Sequence, residues 1–411
     1  MAGDVLPPEI LAVIFSRLPV KSLLQFRSIS KSLKSIIDSH NFTSLHLKNS
    51  LNRSLILRHE FNLYQLQIDD DDFSKSIIPL NHPFKTAPVT RASFMPLIGS
   101  CNGLLAISNS QICFTDPYGP NEITIWNPNT RKHRIIPFLP LPIPNILQSE
   151  NIDRAGVCVH GFGFDSLSGD YKILRISWIA DLHYSFDPHV RLFSSKTNSW
   201  KIIPSMPHAL YYTQAMGVFL ENSLHWVMTP TIKESHPCFI VAFNLTLEIF
   251  NVVPLPADIE GEEVNINEGF KIDIAVLGGC LCMTLNYETT KIDVWVMKEY
   301  GFRDTWCKLF TLEESCFNKS LKSLKPLCYS SNRSKVLLEI NLKELFWYDL
   351  KNEQVSYVEG IPYLDEAMIC VESLVPPPFT VDNFVKENRT SKSKRRYFLL
   401  IILSFLSFCC V

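Results

Sequence analysis

Residues 125–137 read IWNPNTRKHRIIP. An apolar strand end meets a polar turn, and a second strand closes on two β-branched residues and a proline. Ile, Trp and Val suit a pleated, half-buried strand, and Asn and Pro suit the turn between. The unit recurs as QIDDDDFSKSIIP (67–79), LFSSKTNSWKIIP (192–204) and AFNLTLEIFNVVP (242–254). Its anchors are Ile68 with Pro79, Trp126 with Pro137, Phe193 with Pro204 and Phe243 with Pro254, each pair eleven residues apart. Two looser copies follow. VWVMKEYGFRDTWCKLF (294–310) carries a short insertion, and FWYDLKNEQVSYV (346–358) lacks the proline.

A second hairpin type alternates with the first. Its turns are Asn102-Gly103, Ser168-Gly169, Asn222-Ser223, Gly278-Gly279 and Asn332-Arg333, flanked by strands such as SCNGLLAIS and VFLENSLHWVM. Asn-Gly, Gly-Gly and Ser-Gly suit tight hairpin turns that need positive φ. Two hairpins per repeat make four strands, and four-stranded units at a period of about 55 residues predict β-propeller blades. Five intervals and a degenerate first copy give about six blades. A two-sheet sandwich has no reason to alternate two hairpin types in this way.

Composition agrees. The chain has 411 residues, 46% hydrophobic and 19% charged, with a net charge of −2. That excludes a disordered, collagen-like or coiled-coil chain, and the missing basic excess argues against a nucleic-acid binder. The charge is uneven: residues 1–50 and 386–396 are basic, which leaves the body between them acidic. An acidic binding surface points to a protein partner. The twelve cysteines form no C-x-x-C pair and lie near no histidine pair, which argues against zinc and a disulfide framework. MAGDVLPPEI has neither a basic nor an apolar leader region. The expected setting is therefore a reducing one, cytoplasm or nucleus. No metal or other cofactor is expected.

The first 47 residues have a different texture. Pro8 suits a first helical turn, and Ile10, Leu11, Ile14, Phe15 and Leu18 recur at helical spacing until Pro19. Val20, Leu23, Leu24 and Phe26 form a second short helix, and Ser30 caps a third that carries Leu33, Ile36 and Ile37. A module of about 45 residues cannot bury all its apolar side chains alone. The remainder meets a partner or packs on the rest of the chain.

The string LPPEILAVIFSRLPVKSLLQFRSISKSL resembles an F-box. It supplies Leu6-Pro7, then Arg17-Leu18-Pro19-Val20-Lys21-Ser22-Leu23-Leu24, Phe26-Arg27 and Lys31-Ser32. It departs from the family at Ser28-Ile29-Ser30, where a cysteine is usual, and at Leu33, where a tryptophan is usual. The resemblance implies binding to the SKP-type adaptor of a Skp–cullin–F-box (SCF) ubiquitin ligase and, through it, to a cullin. The contact residues carried over are Leu6, Pro7, Ile10, Ile14, Leu18, Pro19, Leu23 and Leu24, an apolar helix face entering a groove.

The body resembles the plant F-box-associated interaction domain, often described with F-box/kelch proteins. GSCNGLLAIS, GFGFDSLSGDYKILRI, IAVLGGCLCMTLNY and the units quoted above carry the likeness, which ends near VESLVP. Within that family the chain looks most like the F-box proteins named for constitutive expression of pathogenesis-related genes. That likeness implies a role in plant immune regulation. The expected architecture is mainly β: a three-helix F-box (1–48), a propeller of about six four-stranded blades (51–375), a basic linker (376–396) and an apolar tail (397–411).

Other motifs favour plain readings. Asp69–Asp72 lacks the spaced glycine and terminal Glu of a calcium loop and sits in a turn. Gly161-Phe-Gly163 lacks the third glycine and the following helix of a dinucleotide site, so it reads as a closely packed strand. His160 and His225 flank aromatic strands and read as core or rim. All tryptophans but Trp178 sit at repeat positions, mostly as blade core. The tail YFLLIILSFLSFCCV follows a basic run. As a helix its fifteen residues span ~22 Å, short of the ~30 Å hydrocarbon core. It reads as a weak membrane attachment or a packed strand.

The expected function is target recognition for an SCF ligase, with no bond chemistry in the chain itself. The alternatives are a membrane-attached propeller scaffold without ubiquitin transfer, and an enzyme or glycan-binding propeller. The last would need a converging polar constellation that the repeats do not supply.

Overall fold

The computed structural model describes residues 7–378 apart from 51, 69–76, 86–92, 112–121, 138, 140–154, 181–187, 205, 207, 211–215, 231–237, 261–269, 288–289, 318–319 and 362–363. The Asp69–Asp72 turn, Leu6, most of the basic linker and the whole apolar tail lie outside the described residues.

Six antiparallel sheets follow one another around a ring. The first blade pairs β26 (Glu366–Val371) with β1 (Arg53–His59), β2 (Asn62–Gln67) and β3 (Ile78–Leu80). The C-terminal strand thus closes the ring on the N-terminal three, with Arg53 opposite Val371. The second blade has β4 (Ser93–Phe94) and β5 (Leu97–Cys101) sharing the inner position, then β6 (Leu104–Gln111), β7 (Glu122–Trp126) and β8 (His133–Ile135). The third is β9 (Ala155–Asp165), β10 (Asp170–Ala180), β11 (His189–Ser194) and β12 (Ser199–Ile202). In the fourth, β13 (Ala209–Leu210) and β14 (Val218–Leu220) both pair with β15 (Ser223–Thr229), followed by β16 (Phe239–Asn244) and β17 (Phe250–Val253). The fifth is β18 (Phe270–Leu277), β19 (Cys280–Tyr287), β20 (Lys291–Met297) and β21 (Trp306–Glu313). The sixth is β22 (Leu324–Tyr329), β23 (Lys335–Ile340), β24 (Glu344–Asp349) and β25 (Gln354–Tyr357).

The eleven-residue interval is a register. Thr124 faces Ile135, Arg191 faces Ile202 and Val241 faces Val252, each pair two positions before its anchor and its proline. The paired β-branched residues follow from the twofold period of a strand. Ile135, Ile202 and Val252 point outward, while Ile136, Ile203 and Val253 are buried. In the first copy the phase is inverted: Ile78 is exposed and Leu80 buried. The edge strands β8, β12 and β17 have three or four residues and stop within two residues of a proline, which limits pairing with other chains. The prolines also join blades. Trp200 Nε1 donates to Pro137 O and Trp306 Nε1 to Pro254 O, each at 2.9 Å across a seam.

Each of the six seams has its own apolar core. Trp126 meets Ile56 and Cys370 between the first two blades, and Phe162 meets Ile125 between the second and third. Trp226 packs with Leu174, Ile272 with Ile240, Val336 with Val294, and Leu55 with Leu337 at the remaining four. Gly161 and Gly163 lie on β9, where a Cβ on Gly163 would sit 2.4 Å from the Phe219 ring. The Gly-x-Gly pair therefore permits close packing of two blades.

Two of the five expected turns are tight two-residue turns in place, one is shifted by a residue, and Ser168-Gly169 and Asn332-Arg333 lie in longer loops where only Gly169 and Arg333 have positive φ. Asn102-Gly103 and Gly278-Gly279 both have positive φ at each residue, as a type I′ turn requires. In the fourth blade the turn is Glu221-Asn222, one residue earlier than expected, because Leu220 pairs with Ser223. Alternation of antiparallel strands puts the first-to-second and third-to-fourth turns of the second to sixth blades on one face. The segments 112–121, 140–154, 181–187 and 231–237 connect strand ends of the other face.

Candidate functional site

The head has four helices, one more than expected: α1 (Pro8–Phe15), α2 (Val20–Arg27), α3 (Lys31–Ile37) and α4 (His40–Asn49). Prolines start the first two. Pro7 precedes α1 with Pro8 at its first position, and Pro19 precedes α2. Serines start the others: Ser30 Oγ accepts from Leu33 N at 3.1 Å and Ser39 Oγ from Phe42 N at 3.2 Å. Phe15 stacks on Phe26 with ring centroids 5.3 Å apart, and Val20, Leu23, Leu33, Ile37 and Phe42 complete the buried core. His46 Nε2 lies 3.0 Å from Leu18 O, and burial holds its pKa below the usual histidine value. Arg27 makes a two-pronged pair with Asp38 that ties α2 to the end of α3.

One face of α1 has no cover among the described residues. Ile10 is 48% and Val13 52% exposed, and half-buried Ile14 shares their face at helical spacing. Pro7 and Pro19 are exposed beside it. The strip is apolar and three to four residues long.

The head joins the ring on the tight-turn face, where α4 leads into β1 and β26 ends. The strand ends that flank 112–121, 140–154, 181–187 and 231–237 are on the opposite face. Between the second and third blades a cavity of about 10 Å³ is lined by Cys158, His160, Arg175 and Trp200 with Ile123, Ile136, Pro137 and Leu139. That volume holds one water and no metabolite. Burial, with Arg175 beside it, pushes the His160 pKa down to about 3, and burial pushes the Cys158 thiol up to about 11. His225 is also buried and neutral, lowered by burial to about 4, and spans Val218 O at 3.0 Å and Tyr300 Oη at 2.6 Å. Both histidines are core residues. Among the described residues no group of His, Cys, Asp and Glu could hold a metal ion, and no helix is long and apolar enough to cross a membrane.

Two family models match this arrangement: an F-box domain over residues 4–45 and an F-box associated beta propeller domain over residues 54–375. The chain belongs to the F-box-associated β-propeller family. It is 34% identical to F-box protein CPR1 of Arabidopsis thaliana, over 90% of this chain and 88% of that protein. It is 29% identical to F-box protein At4g22390 of the same plant, over 85% of each. Among solved structures it is similar to TolB from Acinetobacter baumannii, with a TM-score of 0.43 and 9% identity over 83% of this chain and 73% of that one.

Within the F-box, Leu6 lies outside the described residues and the other seven expected contact residues divide by burial. Pro7, Ile10 and Pro19 are exposed, and Ile14, Leu18 and Leu24 are half-buried against the head core. Leu23 is fully buried there and holds the helices together, so it is not a surface contact in this structure. Val13 escaped the sequence reading, although its offset of three from Ile10 places it on the same face. The two departures from the family pattern have structural roles. Leu33 fills the head core, and Ser30 caps α3.

Proposed function

We propose that this chain is the target-recognition subunit of an SCF ubiquitin ligase. In this reading the F-box seats a SKP-type adaptor, which brings the cullin, and the propeller holds a protein for ubiquitination. The chain itself does no bond chemistry. The observation that carries the reading is the exposed strip of Pro7, Ile10 and Val13, presented by a capped helical module fixed to a closed ring. An apolar helix face of this kind enters a partner groove at anchors three and four residues apart. The acidic body and the face opposite the F-box suit a protein target.

Co-purification of the full chain with the adaptor tests this. The pair Leu6→Ala/Pro7→Ala should lose the adaptor, and unchanged recovery would overturn the assignment. Plant immune regulation is the proposed process, on the strength of the likeness to CPR1. Removal of the chain should then change resting defence-gene transcripts. The proposed setting is cytoplasm or nucleus. The basic run and the apolar residues 397–411 support a second reading, a membrane-attached scaffold. That reading predicts carbonate-resistant pelleting that disappears when 397–411 are deleted, together with target binding but no cullin recruitment.

A further inference from the structure

We infer that Glu372–Pro378, the segment that follows the ring-closing strand, is a structural part of the F-box and fixes it to the second blade. Leu374 lies in the core of the head among Phe15, Leu23, Phe26 and Leu33, more than 300 positions away in the chain. A module of this size is short of core material, and Leu374 supplies some.

The second blade grips the same segment. Asn127 is fully buried in the turn after β7. Its Nδ2 donates to Ser373 O at 3.0 Å and Val375 O at 2.8 Å, and its Oδ1 accepts from Asn129 N at 2.9 Å and Thr130 N at 3.0 Å. One side chain thus satisfies two carbonyls of the segment, which has left the sheet ladder, and two N–H groups of its own turn. Ser373 Oγ donates to Asn102 O at 2.8 Å, and Arg134 Nη1 donates to Pro378 O at 2.9 Å. Gly103 has φ +75°, and a Cβ there would lie 2.5 Å from Val371 O, so the turn is in backbone contact with the end of β26, where the segment begins. On the head side, Ser50 Oγ donates to Glu372 O at 3.1 Å and Glu372 N donates to Asn52 O at 3.0 Å.

Leu374 and Asn127 are therefore positioning residues for the adaptor strip and touch no partner themselves. The VESLVP stretch, where the family likeness ends, is the clasp between ring and head.

Hydrogen exchange of the full chain, read separately for α1–α4 and for the inner strands β9 and β19, tests the clasp. Leu374→Ala should speed exchange in α2 and α3 at least tenfold and leave β9 and β19 unchanged. Leu374→Met should restore the wild-type pattern. Asn127→Ala should loosen 372–377 and the head together, which keeps the test open should Leu374→Ala not fold. Adaptor affinity should fall at least tenfold in Leu374→Ala and recover in Leu374→Met; this arm alone rests on the function proposed above. Unchanged exchange in the head, or equal acceleration in the head and in β19, overturns the clasp. Acceleration confined to the head, in a chain whose wild type binds no adaptor, upholds the clasp and overturns the adaptor reading.

Discussion

The ring and the head solve the same problem differently. Every seam of the ring closes on its own apolar core, and the last strand pairs with the first. Glu366 Oε2 adds a polar tie at the closure, accepting from Arg58 Nε at 3.1 Å and from Leu97 N at 3.2 Å. The head has fewer than 50 residues, leaves Ile10 and Val13 in solvent and takes Leu374 from the far end of the chain. A self-complementary ring serves as a rigid base, and a small module fixed to it can leave apolar surface exposed without unfolding.

Acid should act chiefly on the ring and give the largest effect. His160 and His225 have folded pKa values of about 3 and about 4, below the usual 6.5. Their stability is fully present above pH 6.5 and is lost as pH falls toward those values, because the unfolded chain takes up the protons first. Between pH 7 and 5 urea unfolding should show a loss of about 3–4 kcal/mol from the two together. A double substitution to Gln should flatten that slope. His46 places a smaller effect of the same sign in the head.

Gly163→Val should be next. Its side chain would enter the Phe219 ring across a seam, at a cost of about 3 kcal/mol, and the urea midpoint of the whole ring should fall. Leu33→Ala should remove about 2 kcal/mol from the head alone. Faster exchange of α1–α4 with an unchanged ring midpoint would confirm that the two regions unfold separately. A fall in the ring midpoint would merge them into one cooperative unit. The smallest effect belongs to Arg27→Ala, which breaks a partly exposed pair with Asp38 and should cost about 0.5 kcal/mol in thermal unfolding.

What the sequence made legible was local. The eleven-residue interval is a hairpin register, and a register repeats wherever the same turn joins the same strands. The Asn-Gly and Gly-Gly turns are read from positive φ. Ring closure by EAMICV on RSLILRH left no such mark, because the two strands lie some 300 positions apart and share no local pattern. The same holds for Leu374 in the head and for Asn127 in the second blade, whose partners are remote. The exposed apolar strip of α1 was legible as a helical face at Ile10 and Ile14. That Leu23 faces the head core was not legible, because spacing alone does not say which apolar face of α2 the other helices cover.

Exposed apolar residues also occur on the ring, at the edge positions Ile135 and Ile202. The most direct test sets those against the strip on the head. Purified full chain is titrated calorimetrically with a SKP-type adaptor, as wild type, as Ile10→Glu/Val13→Glu and as Ile135→Glu/Ile202→Glu. The edge variant should keep wild-type affinity and the head variant should lose about 100-fold or more, since anchors at the centre of an interface carry most of its energy. Undiminished binding by a folded head variant would contradict adaptor binding through this strip.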